Sequence, residues 1–359
     1  MIKVCALTLY GSQAASTRYR VEQYIEGLQR ENISVEVYPL LDNDYLKNTF
    51  KGESKYKQVS VPLSYIKRIR TLMRQREFDL AFVHVELFPF LPGLIEAKSL
   101  CIPYVYDMDD AFFLKYQNTK SILLRKLLKN KFDYVVRGAS AVLAGNVFLK
   151  EYADARNKNT VLLPTVVDMR RYVAEPAKKD EIFTVGWVGS PSTSIYLDLL
   201  RAPLELLARE RPIRFLVIGA DCPPMLGVDV LSVRWSEEAE IPLINSIDVG
   251  VMPLFDDDWA RGKCAFKLIQ YMACGLPVVA SPVGANKDVV NKESGILAGS
   301  SDEWVAALRL LRDHPALRLE MGMAARKRIV AHYSLEGALP TMANVLRSAV
   351  QSNNLGADR

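Results

Sequence analysis

The stretch FTVGWVGSPSTSIYLDLLRAPLELLARERPIRFLVIG, residues 183–219, decides the fold of this chain. An apolar segment at Phe183–Val188 ends in glycine, a helical pattern covers Ile195–Glu210, and a second apolar segment at Arg214–Ile218 also ends in glycine. Strand, helix and strand in this rhythm predict parallel strands covered by helices. Because the stretch begins near the middle of 359 residues, we expect it to open a second domain.

The residues before this stretch alternate in the same way. The predicted strands there are Ile2–Leu9, Ile33–Leu40, Leu80–Val85, Ile102–Tyr106, Ala141–Ala144 and Thr160–Leu163. The predicted helices are Arg18–Glu31, Tyr65–Arg76, Pro92–Leu100 and Ser121–Lys131. The sequence therefore predicts an α/β protein with two Rossmann-like domains, each with a parallel sheet, and a cleft between them.

The expected first domain is residues 1–168 and the expected second domain is residues 169–335. The polar stretch Arg170–Asp180 is the expected crossing between them, and residues 336–359 are expected to form a C-terminal helix that packs back toward the first domain.

Composition limits the classes of protein that this chain can belong to. The five cysteines and three histidines show no metal-ligand spacing, so we expect no structural metal, and free thiols favour the cytoplasm. No segment approaches the length of a membrane span. Residues 1–165 carry 24 Lys/Arg against 17 Asp/Glu, concentrated in Lys47–Arg76 and Ala111–Phe132. These runs are either solvated helix faces or a patch for anionic lipid or a phosphate-bearing acceptor; they contain no nucleic-acid reader motif.

Candidate ligand residues follow the predicted strands of the first domain, since open parallel sheets bind ligands beyond the carboxyl ends of their strands. Gly11 and Ser12 follow the first strand, where glycine allows close approach of a phosphate or sugar. Asp107, Asp109 and Asp110 follow the fourth strand. These carboxylates could bind acceptor hydroxyls, orient a cationic group or hold a divalent metal. Alternatively, one of them caps the next helix and the group pairs with the basic helix after it.

The second domain offers positively charged candidates. Gly189 and Ser190 are expected to present backbone N–H groups and a hydroxyl to a diphosphate at a helix N-terminus. A glycine-containing loop then enters a helix that is expected to carry Lys263 and Lys267 on one face, with Gln270 three residues further. The cations would hold a diphosphate in the cleft, and the amide would bond ribose or sugar hydroxyls. The alternative is a solvated basic helix.

Several motifs of the chain resemble bacterial glycosyltransferase family 4, whose members are retaining enzymes of the GT-B fold. They are STRYR at 16–20, LPTVVD at 163–168, KLIQYMACGLPVVAS at 267–281, VGANKD at 283–288 and GIL at 295–297. The resemblance covers nearly the whole chain. It implies transfer of a sugar, with retention of configuration and without a metal or other cofactor, from a nucleoside-diphosphate sugar. The implied acceptor is a glycan or a lipid-linked sugar in cell-surface polysaccharide synthesis.

The strand ends and the resemblance together give three sets of candidate residues. The catalytic set is Asp107, Asp109 and Lys267; the donor-binding set is Gly11, Ser12, Gly189, Ser190, Arg261, Lys263, Lys267 and Gln270; the acceptor-side set is Arg18, His84 and Asp110. Two glutamates typical of the family would fall at Gly262 and Gln270 and are absent. The arginine and lysine with which the family grips the diphosphate are also missing from residues 189–198, and Lys263 and Lys267, together with Arg261, are expected to take over that charge.

Two other functions stay open on the sequence. One is a sugar-nucleotide epimerase of the same fold, and the other is a non-catalytic subunit that binds a sugar nucleotide. The helix predicted at Ser121–Lys131 either lies in a membrane interface or packs on the core. A cytoplasmic protein, peripheral on the inner face of the membrane, is the expected location.

Overall fold

A computed structural model describes residues 1–45, 54–174 and 182–357, with side chains at 1–45, 61–174 and 182–351. Parts of the basic run at 47–76, of the predicted crossing at 170–180 and of the predicted C-terminal helix at 336–359 therefore lie outside the described residues. The chain divides into two compact units. The first comprises residues 1–165 and 338–359, and the second comprises residues 166–337.

The first unit is built on a parallel sheet with strand order β2-β1-β3-β4-β5-β6. The strands are β1 (Ile2–Tyr10), β2 (Ile33–Leu41), β3 (Leu80–His84), β4 (Tyr104–Met108), β5 (Ala141–Ala144) and β6 (Thr160–Leu162). The helices are α1 (Ala15–Arg20), α2 (Ile25–Arg30), α3 (Ser54–Met73), α4 (Gly93–Ser99), α5 (Phe112–Gln117), α6 (Ile122–Leu128), α7 (Lys131–Gly138) and α8 (Val147–Asp154).

The second unit has the strand order β12-β11-β10-β7-β8-β9, which is the doubly wound Rossmann order. Its strands are β7 (Phe183–Val188), β8 (Ile213–Ile218), β9 (Asp229–Val233), β10 (Val249–Met252), β11 (Val278–Ala280) and β12 (Gly295–Leu297). Its helices are α9 (Asp198–Glu210), α10 (Glu237–Ile244), α11 (Asp258–Arg261), α12 (Phe266–Ala273), α13 (Asn286–Val289), α14 (Ser301–Asp313) and α15 (Pro315–His332). The last helix, α16 (Leu335–Ala357), belongs to the first unit from Ala338 onward.

The α/β class with two parallel Rossmann-like sheets is confirmed, and three local predictions that bear on the function were wrong. β4 begins at Tyr104, two residues later than predicted, because Pro103 has no N–H for the sheet ladder. It also ends two residues later, at Met108, so Asp107 lies inside the strand and not after it. Lys263 lies before α12 rather than on it, because Ala265 adopts a left-handed φ of 52° immediately before that helix. The predicted helix Ser121–Lys131 ends at Leu128, and Lys131 begins α7.

Five short elements of the second unit were not predicted: β9, α10, α11, α13 and β12. β9 is an edge strand with a mostly exposed or half-buried side-chain pattern, so it lacks the apolar run that marked its neighbours. Among the described residues, no helix combines the length and the apolar character needed to cross a bilayer.

Candidate functional site

The strand order of the second unit singles out the loops after β7 and β10. β7 pairs with β8 on one side and with β10 on the other, so the order of connections reverses at this point. Ligands of doubly wound sheets bind where the order reverses, beyond the carboxyl ends of the strands. Gly189 and Ser190 follow β7, while Arg261, Lys263 and Lys267 lie in the connection from β10 to β11. The geometry thus brings the predicted donor residues of this unit to one edge of its sheet.

The backbone N–H groups of Gly189 and Ser190 are engaged within the protein, which corrects the prediction that they are offered to a phosphate. The N–H of Gly189 donates to the carbonyl of Ile218 at 2.9 Å, and the N–H of Ser190 donates to Thr193 Oγ1 at 3.2 Å. The hydroxyl of Ser190 lies 2.9 Å from Ser192 Oγ at the half-buried end of the strand. The hydroxyl groups of Ser190 and Ser192, rather than the amides of Gly189 and Ser190, are therefore the candidate ligand contacts of this loop.

Lys267 lies on the first turn of α12 and is half-buried. Its Nζ lies 5.0 Å from the centroid of the Trp187 ring, and Trp187 itself is buried in β7 at 1% exposure. The ammonium is therefore held against the end of β7, beside the Gly189–Ser190 loop. A positive charge at this edge can attract a diphosphate.

The remaining donor candidates differ in how far their groups are engaged. Lys263 is half-buried, and its Nζ lies 5.6 Å from the Trp259 ring centroid. Arg261 is exposed and pairs with Asp256 and Asp258, at 2.8 Å and 3.1 Å, so its charge is already compensated locally.

Gln270 is 2% exposed, and its amide donates to the hydroxyl of Tyr172 at 2.9 Å. In this structure the amide fastens α12 to the segment before β7. For Gln270 to contact ribose or sugar hydroxyls as predicted, its hydrogen bond to Tyr172 would have to break.

A cavity of about 260 Å³ lies beside the same edge, between the loops that follow β7 and β8. Its polar lining includes Ser194, Asp198, Arg201 and Asp221. None of the predicted donor-binding residues lines it.

In the first unit, β1 lies between β2 and β3, and the loops after β1 and β3 flank the corresponding reversal. Gly11 is buried, and a Cβ there would lie 2.4 Å from Asn43 Oδ1. Asn43 Nδ2 in turn donates to Ser12 Oγ at 2.9 Å. Arg18 is 7% exposed and donates to the carbonyls of Ser12 and Gln13 at 2.9 Å and 3.0 Å. These two hydrogen bonds from Arg18 stabilise the backbone conformation of the loop after β1.

A buried chain of charges lies across β3 and β4. Asp107 is fully buried and accepts two hydrogen bonds from the guanidinium of Arg20, one of them from Nε at 3.0 Å. Its Oδ2 also lies 2.9 Å from Nδ1 of His84, which pairs with it in register across the two strands. Nε2 of His84 lies 3.8 Å from Oδ2 of Asp109, whose side chain is 13% exposed. Asp107 is therefore placed to orient His84, and Asp109 is the member of the chain nearest solvent.

The pKa directions in this cluster follow from burial and pairing. Burial opposes the charge on Asp107, but Arg20 and the hydrogen bond from His84 hold the pKa of Asp107 below its usual value. Burial also opposes the charged imidazole, yet the carboxylates of Asp109 and Asp107 raise the pKa of His84. Burial raises the pKa of Asp109 against the pull of His84. His84 Nε2 is buried with no hydrogen-bond partner among the described residues, which marks the place between His84 and Asp109 as one that a hydroxyl could fill.

The residue after His84 is strained. Val85 has a φ of 69°, an outlier for a β-branched side chain, and its carbonyl accepts a hydrogen bond from Tyr106. Glu86 follows and is fully buried against Lys131, at 3.1 Å. Strain of this kind persists where the surroundings fix it and clusters at functional sites.

Asp110 is used differently from its neighbours. Its Oδ1 accepts a hydrogen bond from the N–H of Ala111 at 2.9 Å, just before α5. Helix α5 has Ala111 as its N-cap and no side-chain cap hydrogen bond, so the expectation that one of the three carboxylates caps the next helix was wrong. The expectation that the group pairs with the basic helix after it does not hold for Asp107, whose partners are Arg20 and His84.

Helix α6 leaves most of its apolar side chains outside the core. Ile122, Leu123 and Leu127 are 73%, 75% and 56% exposed, and only Leu128 is buried. Arg125 and Lys126 on the same helix are exposed as well. The alternative of a helix packed on the core by its apolar face therefore does not apply to α6.

Two parallel Rossmann-like units of this topology define the GT-B class of fold. The structure of sucrose-phosphate synthase from Thermosynechococcus elongatus superimposes with a TM-score of 0.69 at 14% identity, covering 98% of this chain and 100% of that one. The structure of HepE from Anabaena in complex with UDP-glucose gives a TM-score of 0.70 at 16% identity, covering 97% of this chain and 100% of that one. At these identities the likeness shows the fold.

Residues 180–314, within the second unit, match the family described as "Glycosyl transferases group 1". Over 81 residues the chain is 37% identical to the D-inositol 3-phosphate glycosyltransferase of Pseudarthrobacter chlorophenolicus. That match spans 22% of this chain and 18% of the relative's length.

Sequence reasoning missed three residues that shape these two edges. Arg20 was visible in the STRYR motif, but nothing in the sequence showed that it reaches Asp107, 87 positions away. Trp187 stands two residues before Gly189, and its contact with Lys267 depends on the packing of α12. Tyr172 lies in a segment without periodicity.

Proposed function

We propose that this chain is a glycosyltransferase that moves a sugar from a nucleoside-diphosphate donor to a glycan or a lipid-linked acceptor in cell-surface polysaccharide synthesis. The observation that carries the proposal is the placement of Lys267 at the point where the strand order of the second unit reverses. The group 1 match over this unit supports it, as does the fold shared with a structure described as a complex with UDP-glucose.

The donor is proposed to bind by its diphosphate beside Lys267, with Lys263 and the hydroxyl of Ser190 as further contacts. When the sugar leaves, negative charge grows on the diphosphate, and fixed positive groups stabilise that charge in the transition state. Arg261 would contribute less, since Asp256 and Asp258 already neutralise it. In this proposal the lysines supply the charge that a metal supplies elsewhere, and activity is expected to survive chelation with EDTA.

The acceptor is proposed to meet the first unit at Asp109. A sugar hydroxyl can donate to that carboxylate and lie against Nε2 of His84, which Asp107 and Arg20 hold in place. Asp107 is fully buried, so its proposed part is to position His84 rather than to touch substrate. Transfer is proposed to proceed with retention of configuration, as the resemblance to glycosyltransferase family 4 implies, and NMR of the product anomer tests this directly.

The exposed apolar side chains of α6 support a proposed peripheral contact with the inner face of the cytoplasmic membrane. Ile122, Leu123 and Leu127 would enter the interface while Arg125 and Lys126 meet anionic headgroups. Leu123→Ser with Leu127→Ser should abolish co-sedimentation with vesicles that contain anionic phosphatidylglycerol. Leu319, 55% exposed on α15 of the other unit, supplies the matched control Leu319→Ser. Equal sedimentation of wild type and the double variant would contradict this contact.

A thermal-shift screen with UDP-, GDP-, ADP- and dTDP-sugars tests donor binding, because a ligand at a hundred times its Kd stabilises the folded state by about 2.7 kcal/mol. Product analysis with the best donor then separates the alternatives. A glycosyltransferase releases the nucleoside diphosphate and forms a new glycoside. An epimerase converts the sugar without an acceptor, and a binding subunit returns the donor intact. Either of the last two outcomes would overturn the proposed function.

A further inference from the structure

Lys267 is a long, flexible side chain at a half-buried position, so its usefulness to a ligand depends on what fixes its ammonium. The face of an indole attracts an ammonium group, and the attraction grows when the pair is partly removed from water. Trp187 offers that face at 5.0 Å and is itself 1% exposed. We infer that Trp187 is a positioning residue that holds Lys267 ready for the diphosphate of the donor. The inference rests on the proposed function and adds a residue to it.

The position of the Trp187 ring depends on Gly189, two residues further along the chain. A Cβ at Gly189 would lie 2.1 Å from Cη2 and 2.2 Å from Cζ2 of the indole, which no real contact allows. The absence of a side chain at Gly189 is therefore what allows the indole to occupy this place. Since the N–H of Gly189 is already bonded to Ile218, the glycine serves the tryptophan rather than a phosphate.

The helix that carries Lys267 is fastened to the same end of β7. The N–H of Val188 donates to the hydroxyl of Tyr271 at 2.7 Å, and Tyr271 is fully buried on α12. Lys267 and Tyr271 are four residues apart and so lie on one face of the helix. Two consecutive residues of β7 thus contact two residues one turn apart on α12. These two contacts fix the position of α12 along β7 and its rotation about the helix axis.

Trp187 also belongs to the buried core of the second unit, so a purely structural role has to be separated from a positioning role. A structural role would lower stability and affect every ligand contact alike. A positioning role acts through Lys267 alone. The two are distinguished by whether the effect of changing Trp187 survives when Lys267 is already gone.

The test is a double-mutant cycle on the full chain, with Kd measured by isothermal titration for UDP and for inorganic pyrophosphate. Lys267→Met should weaken binding about 10- to 100-fold, the range for a lost contact to a charged group. Trp187→Phe should weaken it about 3- to 30-fold. In the Lys267→Met background, Trp187→Phe should have no further effect. Additive effects of the two substitutions would overturn the inference.

The matched control is Trp304→Phe, because Trp304 is 2% exposed in the same core and lies on α14. It should lose stability, as Trp187→Phe does, and keep the wild-type Kd. Should Trp187→Phe fail to fold, fluorinated tryptophan can be incorporated instead, since fluorine weakens the attraction of the indole face for an ammonium and changes the ring's shape little. Trp259→Phe is included in this experiment because Trp259 contacts Lys263 and would respond to fluorination too. Kd should then rise with the number of fluorine atoms when Lys267 is present and stay constant in Lys267→Met. A constant Kd in both would overturn the inference while the proposed function stands; no binding of either probe to wild type would overturn both.

Discussion

Replacing Arg20 by methionine should destabilise the first unit strongly, because the change leaves the carboxylate of Asp107 without its main partner. Both side chains are at most 1% exposed, and Arg20 also donates to the carbonyl of Leu163 at 2.7 Å. Removing one member of a buried ion pair costs about 3–5 kcal/mol. His84 remains 2.9 Å from Asp107 and compensates part of the charge, so we expect about 3 kcal/mol.

The stability of the first unit is best followed by hydrogen–deuterium exchange of the β3 and β4 amides, since all four tryptophans lie in the second unit. Adding Asp107→Leu to Arg20→Met removes the stranded charge, so the double variant should be more stable than Arg20→Met alone by about 1 kcal/mol or more. Arg30→Met is the control. Its pair with Glu26 is about two-thirds exposed and should contribute no more than about 0.5 kcal/mol.

Two results would refute this reasoning. One is an Arg20→Met variant whose β4 amides are as protected as those of wild type. The other is a double variant that is no more stable than the single one, since that would show that the buried carboxylate is not the source of the cost.

Three further predictions concern the same two edges. The pKa of His84 is raised in the folded state, so its contribution to the free energy of unfolding is fully present below the unfolded pKa of about 6.5 and is lost as pH rises through the folded pKa. The free energy of unfolding, measured with urea from pH 6 to 9, should therefore vary less with pH in His84→Gln than in wild type. Asp107 has a lowered pKa, so its contribution is present above about pH 4 and is lost as pH falls through the folded value, a loss that acid titration of wild type should show and Asp107→Asn should lack. Gly189→Ala should cost about 1–3 kcal/mol by overpacking against the indole and should weaken UDP binding, whereas Gly299→Ala, whose Cβ would meet nothing closer than 3.5 Å, should do neither by thermal unfolding and titration.

The strands of the two sheets could be predicted because buried parallel strands are continuous apolar runs, as in Phe183–Val188 and Ala141–Ala144. Edge strand β9 was not predicted because its side chains are exposed or half-buried and it lacks a continuous apolar run. The apolar periodicity of 266–273 predicts a helix with the bounds of α12, but the expectation that the helix also carries Lys263 was wrong. The left-handed conformation of Ala265, which separates Lys263 from the helix, is unusual for alanine and has no sequence signal.

The candidate residues were predicted where strand ends and motifs point, but their partners were not. Periodicity shows which face of an element is buried and does not show which distant residue lies opposite, so the pairing of Arg20 with Asp107 had no local signal. Hydrogen bonds already made within the protein were equally invisible. For this reason the N–H groups of Gly189 and Ser190 were predicted to bind a phosphate, although both already donate hydrogen bonds within the protein.

The claim that most needs a direct measurement is that Lys267 binds the diphosphate of a sugar nucleotide. Isothermal titration of the best donor from the screen into wild type, Lys267→Met and Lys292→Met tests it, because Lys292 is exposed and precedes β12, at the opposite edge of the sheet. We expect equal Kd values for wild type and Lys292→Met, and a Kd about 10- to 100-fold higher for Lys267→Met. Equal affinity of all three proteins, or no binding to wild type, would contradict it.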